Sequence, residues 1–214
     1  KLLNFDIQLV FDTFINTLVS EIETSKNKQE GYAASLEEEV KKRTMEMEDL
    51  SQRDPMTGLF NRRALETFLE RDLQLVKRNR QPLTALYMDM DGFKQINDIQ
   101  GHVVGDELLV MVGKVLMEEA RDSDIVCRMG GDEFCVILSQ CSEDKAVVIA
   151  DRVVENFNSK NTQECSLSIG LAEYNIESGE KFEPFIHRAD EAMYAAKKVK
   201  GNAIIRYSEL SSES

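Results

Sequence analysis

One short turn between two apolar runs constrains the fold of this 214-residue chain more than any other feature. Residues 128–134 read Arg-Met-Gly-Gly-Asp-Glu-Phe, and the apolar run 135–138 follows them. Two glycines between strand-like segments are a hairpin signal. Glycine also lets the backbone approach a ligand closely, and Asp132 and Glu133 offer the hard oxygen ligands that Mg²⁺ prefers. The turn alone leaves both interpretations open, an ordinary hairpin or a site for phosphate and metal.

A second acidic segment lies upstream, at the end of a strand-like run. Residues 83–91 read Leu-Thr-Ala-Leu-Tyr-Met-Asp-Met-Asp, and strand periodicity places Asp89 and Asp91 on one face. Strand ends often carry Asp only because turns favour it. Two acidic strand ends in one chain favour instead a two-carboxylate cage at a sheet edge, which suits Mg²⁺ bound to a nucleotide phosphate.

Four segments together carry a resemblance to a known family. They are residues 54–63 (Asp-Pro-Met-Thr-Gly-Leu-Phe-Asn-Arg-Arg), 89–98 (Asp-Met-Asp-Gly-Phe-Lys-Gln-Ile-Asn-Asp), 101–106 (Gly-His-Val-Val-Gly-Asp) and 130–134. In this order and spacing, the chain resembles the diguanylate cyclases, the GGDEF family, which join two GTP molecules into cyclic di-GMP and release pyrophosphate. The resemblance covers the chain from Asp54 to about Tyr207. It implies an enzyme, a nucleotidyltransferase that forms phosphodiester bonds.

Helix-type and strand-type segments alternate along this region, which predicts an α/β fold. Helices are expected after Asn61 and over 105–120, 143–158 and 182–199, and strands over 83–90, on both sides of Gly130-Gly131, and over 165–174 and 203–207. The prediction is a central mixed β-sheet flanked by helices. By resemblance, this is the architecture of polymerase palms and nucleotidyl cyclases. The cyclase domain is expected over 54–208, with a polar tail over 209–214.

Residues 1–53 differ in composition and are predicted to form a helical signalling linker. Residues 5–22 carry apolar residues at helical spacing, whereas residues 23–35 are polar. The a and d positions of a heptad are filled by Leu36, Val40, Met47 and Leu50. Arg43 is the one polar residue in this series, and Glu and Lys fill the outer face. The pattern predicts a dimerising coiled coil. A single solvated helix is the alternative, because two heptads are short.

Charge and hydropathy exclude several function classes. Lys and Arg number 26 against 39 Asp and Glu, and the net charge of −13 argues against a nucleic-acid surface. No apolar run reaches membrane-spanning length, so no membrane contact is expected from this segment. The four cysteines lack metal-ligand spacing and indicate buried thiols of a reducing cytoplasm. The chain begins with Lys1, and we expect an upstream sensor module, which leaves open a membrane anchor in the parent protein.

The resemblance implies a metal-dependent catalytic centre. Asp89 and Asp132, joined by the backbone carbonyl of Met90, are expected to bind Mg²⁺, with Mn²⁺ as an alternative. One ion would neutralise the triphosphate, and a second would lower the pKa of the attacking hydroxyl. Glu133 is expected to assist the metal or the nucleophile. The choice of general base between Asp132 and Glu133 stays open.

The triphosphate is expected to lie against two lysines and a glycine-rich turn. By resemblance, Lys94 is a catalytic residue that meets phosphate charge, and Lys197 is a second phosphate contact. Phe93 is expected to shape the loop under the phosphates. The backbone of Gly130 and Gly131 would approach the nucleotide closely.

Guanine recognition falls on Asn97 and Asp106, because an amide and a carboxylate together can read the O6, N1 and N2 edge. Helix capping is the alternative for both residues, since Asn and Asp favour helix starts. His102 is placed near the nucleotide by resemblance, and a loop or packing role is equally open.

Product formation and its control require more than one site. Because one domain holds one GTP, two domains must face each other, and the N-terminal helix would hold the homodimer together. Arg121 and Asp124 match the family's Arg-x-x-Asp motif for feedback inhibition by cyclic di-GMP, and Arg152 matches a supporting arginine. The alternative is a surface turn with a chance salt bridge. For the chain as a whole, the alternative function is a non-catalytic receptor for GTP or cyclic di-GMP.

Overall fold

A computed structural model gives the fold and describes residues 52–210 and seven isolated positions before them. These positions are Phe14, Ile15, Lys26, Lys28, Leu36, Glu39 and Arg43, and all are helical. The chain divides into two compact units, Lys1–Ser51 and Gln52–Ser214. Most of the predicted heptad lies outside the described residues, so the coiled coil stays a prediction. Arg43 is exposed and pairs with Glu39 one helical turn earlier, at 2.6 Å.

The described part of the second unit is built on one mixed β-sheet, as predicted. Its strands are β1 (Phe60–Asn61), β2 (Leu83–Asp91), β3 (Ile125–Gly130), β4 (Glu133–Ser139), β5 (Ser166–Glu173) and β6 (Ala203–Arg206), in the order β1-β3-β4-β2-β5-β6. The outer pairs β1–β3 and β5–β6 are parallel. The central strand β2 runs antiparallel to both β4 and β5. The acidic end of β2 is therefore flanked by the start of β5 and by the turn at residues 130–133, which we call the signature turn.

Helices cover both faces of this sheet. They are α1 (Arg62–Asn79), α2 (Phe93–Gln100), α3 (His102–Glu119), α4 (Glu143–Lys160), α5 (Phe182–Ala196) and a short α6 (Tyr207–Leu210). The helix predicted over 105–120 is only part of what forms, because a separate helix α2 precedes α3 and Gly101, at φ 89°, lies between the two. Residues 211–214 of the predicted tail lie outside the described residues. No helix among the described residues combines the length and apolar character needed to cross a membrane.

The central strand is buried on both faces, which explains why its sequence is almost continuously apolar. On one face of the sheet, Leu86 and Met88 of β2 and Phe134 of the neighbouring β4 pack against α3 and α4. The other face packs Tyr87 and Cys135 against α1 and α5. Only the last residue of β2 is less than fully buried. Polar groups therefore emerge at one end of the strand, next to the signature turn.

Helix α5 lies unusually close to the sheet at Gly170 of β5. A Cβ atom at this glycine would lie 2.1 Å from the carbonyl oxygen of Ala189 and 2.1 Å from the backbone nitrogen of Met193. Only glycine permits this approach. The contact matters for function because α5 ends at Ala196 and the next residue is Lys197.

Candidate active site at the acidic end of the central strand

The signature turn is a tight hairpin that aligns two carboxylates. Gly130 pairs with Glu133, so Gly131 and Asp132 form a two-residue turn between β3 and β4, with Gly131 at φ 53°. In the adjoining ladder, Glu133 lies directly opposite Asp89. Directly opposed residues of antiparallel strands share a face of the sheet. The hairpin interpretation is therefore confirmed, and the hairpin also places acidic groups together.

Asp89 lies in a strongly negative environment. Its side chain is 8% exposed, and one carboxylate oxygen accepts a hydrogen bond from Nζ of Lys197 at 2.7 Å. Burial raises the pKa of Asp89, and the charges of Asp132 and Asp91 raise it further, against the opposing effect of Lys197. Burial works against the Lys197 ammonium, but its hydrogen bond to Asp89 and the same acidic charges raise the pKa of Lys197. The surrounding carboxylates thus raise the pKa of both groups, in addition to the effect of burial at Asp89 and of the hydrogen bond at Lys197.

This donor set fits a divalent ion that is shared with a nucleotide. Within the described part of the chain, no three His, Cys, Asp or Glu side chains are arranged as a ready-made metal cage. Mg²⁺ usually keeps several waters and binds through one or two carboxylates plus substrate phosphates. The mutual repulsion at Asp89 is relieved by added positive charge. Asp89 and Asp132 therefore suit an ion whose remaining ligands come from backbone, water and phosphate.

Asp91 lies at the same strand end but is engaged by the neighbouring strand. One of its carboxylate oxygens accepts hydrogen bonds from Oγ of Ser168 at 2.7 Å and from Oγ of Ser166 at 3.2 Å. Ser168 is fully buried. These bonds join the ends of β2 and β5, so Asp91 stabilises the strand end that carries Asp89.

Glu133 is held by a residue that the sequence analysis did not select. The hydroxyl of Tyr87 donates a hydrogen bond to Oε2 of Glu133 at 3.0 Å. Tyr87 is 7% exposed, and burial together with the charge of Glu133 raises its pKa, so the phenol stays protonated. The available signal was its position two residues before Asp89, on the same face of the strand.

Arg128 connects the signature turn to the first motif segment. Its guanidinium donates to the carbonyl oxygen of Gly131 at 2.7 and 3.0 Å and pairs with Asp54 at 3.1 Å. Asp54 also accepts from the backbone and hydroxyl of Thr57. Burial opposes ionisation, but these hydrogen bonds lower the pKa of Asp54 below its ordinary value. Sequence reasoning missed Arg128 as well, although it lies only two residues before Gly130.

Helix α2 begins directly after the acidic strand end. Gly92, at φ 83°, makes the connection, and Phe93 is the first helical residue rather than part of a loop. Lys94 follows in the first turn and is exposed. Unpaired backbone N–H groups at a helix start favour anions. Met90 has a buried side chain, and its backbone belongs to β2.

The proposed guanine-reading residues lie on two successive helices. Asn97 is on α2 and Asp106 on α3, and the residues at the two helix starts are Gly92 and Gly101. The capping alternative is therefore wrong for both. Among the described residues, Oδ1 of Asn97 is the one buried side-chain oxygen or nitrogen without a hydrogen-bond partner. A buried acceptor left unpaired costs free energy, so its presence marks a position where a donor is missing.

Asp106 and His102 have more exposed positions. Asp106 lines a cleft of about 590 Å³ together with Val103 and Lys114. His102 opens α3 and is exposed.

The residues of the predicted feedback site are only partly brought together. Arg121 and Asp124 share one turn, in which Asp124 accepts from the backbone N–H of Arg121 at 2.9 Å and from that of Ser139 at 3.1 Å. Arg152 lies on α4 and pairs with Glu119 at 3.0 Å. Asp124 therefore has a local structural task besides any ligand contact.

Comparison with known proteins supports the resemblance. The family model described as "Diguanylate cyclase, GGDEF domain" matches residues 51–203. The protein named "Probable diguanylate cyclase DgcC" from Escherichia coli K12 is 39% identical over 158 residues, which are 72% of this chain and 42% of that protein. Diguanylate cyclase DosC from the same strain is 38% identical over 150 residues, 68% of this chain and 33% of that protein. The chain thus spans less than half the length of these relatives.

Solved structures give the same result for the fold. The GGDEF domain of TpbB from Pseudomonas aeruginosa superimposes with a TM-score of 0.67 at 36% identity, covering 72% of this chain and 94% of that one. The coiled coil and GGDEF domain of DgcB from Caulobacter crescentus, in complex with c-di-GMP, gives a TM-score of 0.77 at 24% identity. That match covers 85% of this chain and 99% of the other, and at this identity it supports the fold alone.

Proposed function

Because this chain belongs to the GGDEF family of diguanylate cyclases, we propose that it condenses two GTP molecules into cyclic di-GMP. The observation that carries the proposal is the convergence of Asp89, Asp132 and Glu133 beside Lys197. In each of two bond-forming steps, a 3′-oxygen attacks an α-phosphorus, the α–β phosphoanhydride bond breaks, and pyrophosphate leaves. Such reactions depend mainly on positioning and charge neutralisation.

We assign the metal to the carboxylates of Asp89 and Asp132 and the backbone carbonyl of Met90. These groups would hold Mg²⁺ or Mn²⁺, which would neutralise triphosphate charge and lower the pKa of the attacking hydroxyl. The carboxylate that accepts the hydroxyl proton is Asp132 or Glu133. The two side chains differ in how they are held, since Glu133 already accepts a hydrogen bond from Tyr87 whereas Asp132 lies in the turn itself.

The cationic residues receive the phosphates in this proposal. Lys94 stands in the first turn of α2, where its charge adds to that of the helix start. Lys197 contacts Asp89 and would exchange this partner for a phosphate oxygen when the nucleotide binds. The positive φ of Gly131 keeps the turn tight, so that its backbone can approach the triphosphate.

The guanine base would enter between α2 and α3. The amide of Asn97 pairs with the O6 and N1 edge, and the carboxylate of Asp106 accepts from N1 or N2. The unpaired acceptor of Asn97 would gain a donor from guanine, which adenine does not offer in the same place. This is the basis of the expected preference for GTP over ATP.

Assembly and feedback belong to the same proposal. Two domains, held by the N-terminal helix, bring two GTP molecules together, and the second unit alone supplies one half of that centre. Cyclic di-GMP would bind at Arg121 and Asp124 with Arg152 in support. For this, Arg152 has to leave Glu119, and Arg121 supplies charge while Asp124 keeps the turn in shape.

The test is GTP turnover with Mg²⁺, followed by chromatography for cyclic di-GMP over a range of protein concentrations. We expect product whose specific rate rises with protein concentration, and none from Asp132→Ala. Arg43→Leu, which changes the exposed linker residue, is expected to alter the concentration dependence and not the centre. Nucleotide binding without product at any concentration would refute the cyclase and indicate a receptor.

A further inference from the structure

Each of the two opposed carboxylates is held by its own protein donor. Nζ of Lys197 binds Asp89 at 2.7 Å, and the hydroxyl of Tyr87 binds Glu133 at 3.0 Å. Asp89 and Glu133 are directly opposite each other in the antiparallel ladder, where like charges destabilise the pair. The two donors differ in kind, since one is a mobile cation and the other a neutral hydroxyl on a rigid ring.

The ring of Tyr87 is firmly placed by the fold. It belongs to the buried cluster between the sheet and helices α1 and α5, and its strand neighbours are Cys135 on β4 and Gly170 on β5. Only 7% of the residue is exposed. A side chain with two rotatable bonds, packed in this way, delivers its hydroxyl to one place. Lys197, by contrast, has a flexible side chain and a charge that a phosphate can take over.

We propose that Tyr87 is a positioning residue that fixes the carboxylate of Glu133 through Oε2 and leaves Oε1 directed to the reaction centre. The inference rests on the proposed cyclase function and adds a residue to it. This hydrogen bond does not have to form when the nucleotide binds, because Tyr87 already donates to Glu133 in the absence of ligand. Preorganised acceptors of this kind lower the barrier rather than the affinity for substrate.

Tyr87→Phe removes the hydroxyl and keeps the ring. We expect kcat to fall about tenfold, with the KM for GTP within about twofold of wild type, because the lost bond orients a catalytic carboxylate and touches no part of GTP. We also expect the Mn²⁺ concentration for half-saturation, followed by electron paramagnetic resonance in the presence of GTP, to rise several-fold.

Tyr174→Phe is the matched control. Tyr174 belongs to the same buried cluster, is 3% exposed, and donates to the carbonyl oxygen of Glu180 at 2.9 Å, away from the carboxylates. Like Tyr87→Phe, the Tyr174→Phe substitution therefore removes one oxygen atom and one buried hydrogen bond donated by a phenol. A change in kcat or in Mn²⁺ binding beyond that of Tyr174→Phe supports the positioning role. Equality of the two variants in both measurements overturns it.

A second pair of variants tests whether Tyr87 acts through Glu133. Glu133→Asp keeps the charge but shortens the side chain, so the carboxylate no longer reaches the hydroxyl. Tyr87→Phe should then cause less than a twofold further change in the Glu133→Asp background, and additive effects would overturn the proposal. Should Tyr87→Phe fail to fold, Glu133→Asp alone must reproduce the expected kcat and Mn²⁺ changes. Absence of product from wild type would refute the cyclase, and Mn²⁺ binding would then decide the role of Tyr87 by itself.

Discussion

Gly105 on α3 makes the space in which the Asn97 side chain lies. A Cβ atom at this position would lie 2.0 Å from Oδ1 and 2.9 Å from Cγ of Asn97. Both distances are shorter than real Cβ contacts allow, so Gly105→Ala must displace the amide. The obstructing atoms are the end of a side chain, and the backbone of α2 need not move. The substitution therefore removes Asn97 from its place without changing Asn97 itself.

The size of the effect follows from the contacts that change. Losing the hydrogen bonds from Asn97 to guanine is expected to cost about 1–3 kcal/mol. At 25 °C this is a roughly 5- to 150-fold loss in kcat/KM for GTP. Stability should fall by no more than about 2 kcal/mol, because crowding of about 1–3 kcal/mol is partly offset by about 1 kcal/mol from replacing a helical glycine by alanine. Rotation of Asn97 towards solvent also relieves its unpaired buried acceptor.

The assay compares Gly105→Ala with Gly113→Ala on the same helix. A Cβ at Gly113 would lie 3.4 Å from the nearest side-chain atom, of Thr57, so alanine is tolerated there. Initial rates with GTP and ATP, together with urea unfolding, are measured for both variants. We expect a raised KM for GTP and a smaller preference for GTP over ATP only in Gly105→Ala. Asn97→Ala should add nothing in the Gly105→Ala background.

Displacement of the Asn97 amide is refuted if Gly105→Ala keeps the GTP kinetics of Gly113→Ala. The same holds if its loss of activity tracks a loss of folded protein in the urea series, because the cost would then be general crowding. If the KM for GTP is raised in a variant that is fully folded, the displaced amide of Asn97 is the cause.

Three further predictions follow from the packing and the pKa shifts. Gly170→Ala should lower the free energy of unfolding by about 3 kcal/mol or more in urea titrations, because the atoms in its way are helix backbone; an unchanged midpoint would contradict the close approach of α5. Asp54→Asn should be destabilising at neutral pH and less so towards pH 3. The pKa of Asp54 is lowered on folding, so the ionised carboxylate stabilises the fold above the ordinary pKa of 3.8. This stabilisation is lost as the pH falls through the folded-state pKa. A pH-independent difference in unfolding free energy would argue against the ion pair with Arg128. Burial raises the pKa of Cys127 and Cys165 to about 12, so thiol titration with a disulfide reagent at pH 8 should be slow in the folded protein and fast in denaturant.

The sequence was sufficient for five of the six strands, and insufficient for the short edge strand β1 and for the helix that follows the acidic strand. Strand β2 and the hairpin were predictable because a short, nearly continuous apolar run and a Gly-Gly turn are local signals. Helix α2 has eight residues and starts and ends at glycines with positive φ, which give no side-chain capping signal. Capping was the alternative role for Asn97 and Asp106 because those residue types favour helix starts, but the two helices start at Gly92 and Gly101 instead.

The hydrogen-bond partners of the carboxylates also could not be predicted from local sequence patterns. Asp89, Asp132 and Glu133 stand in motifs and were selected for their residue type. Tyr87 and Arg128 were not, since their roles depend on atoms 46 and 74 positions away along the chain, at Glu133 and Asp54. A tyrosine in an apolar strand looks like core until the register of β4 is known. Register is a property of the assembled sheet, so such positioning residues require the structure.

The placement of Lys197 shows how packing and charge combine at this site. The residue follows α5, whose distance from the sheet is set by the missing side chain of Gly170. A helix pushed outward by one methyl group would carry the ammonium away from Asp89, and the acidic cluster would lose its nearest cation. Burial and the neighbouring carboxylates already raise the pKa of Asp89, and loss of the ammonium would raise it further. A glycine on the sheet thus sets the electrostatic balance at the strand end, and Gly170→Ala is expected to weaken GTP turnover as well as folding.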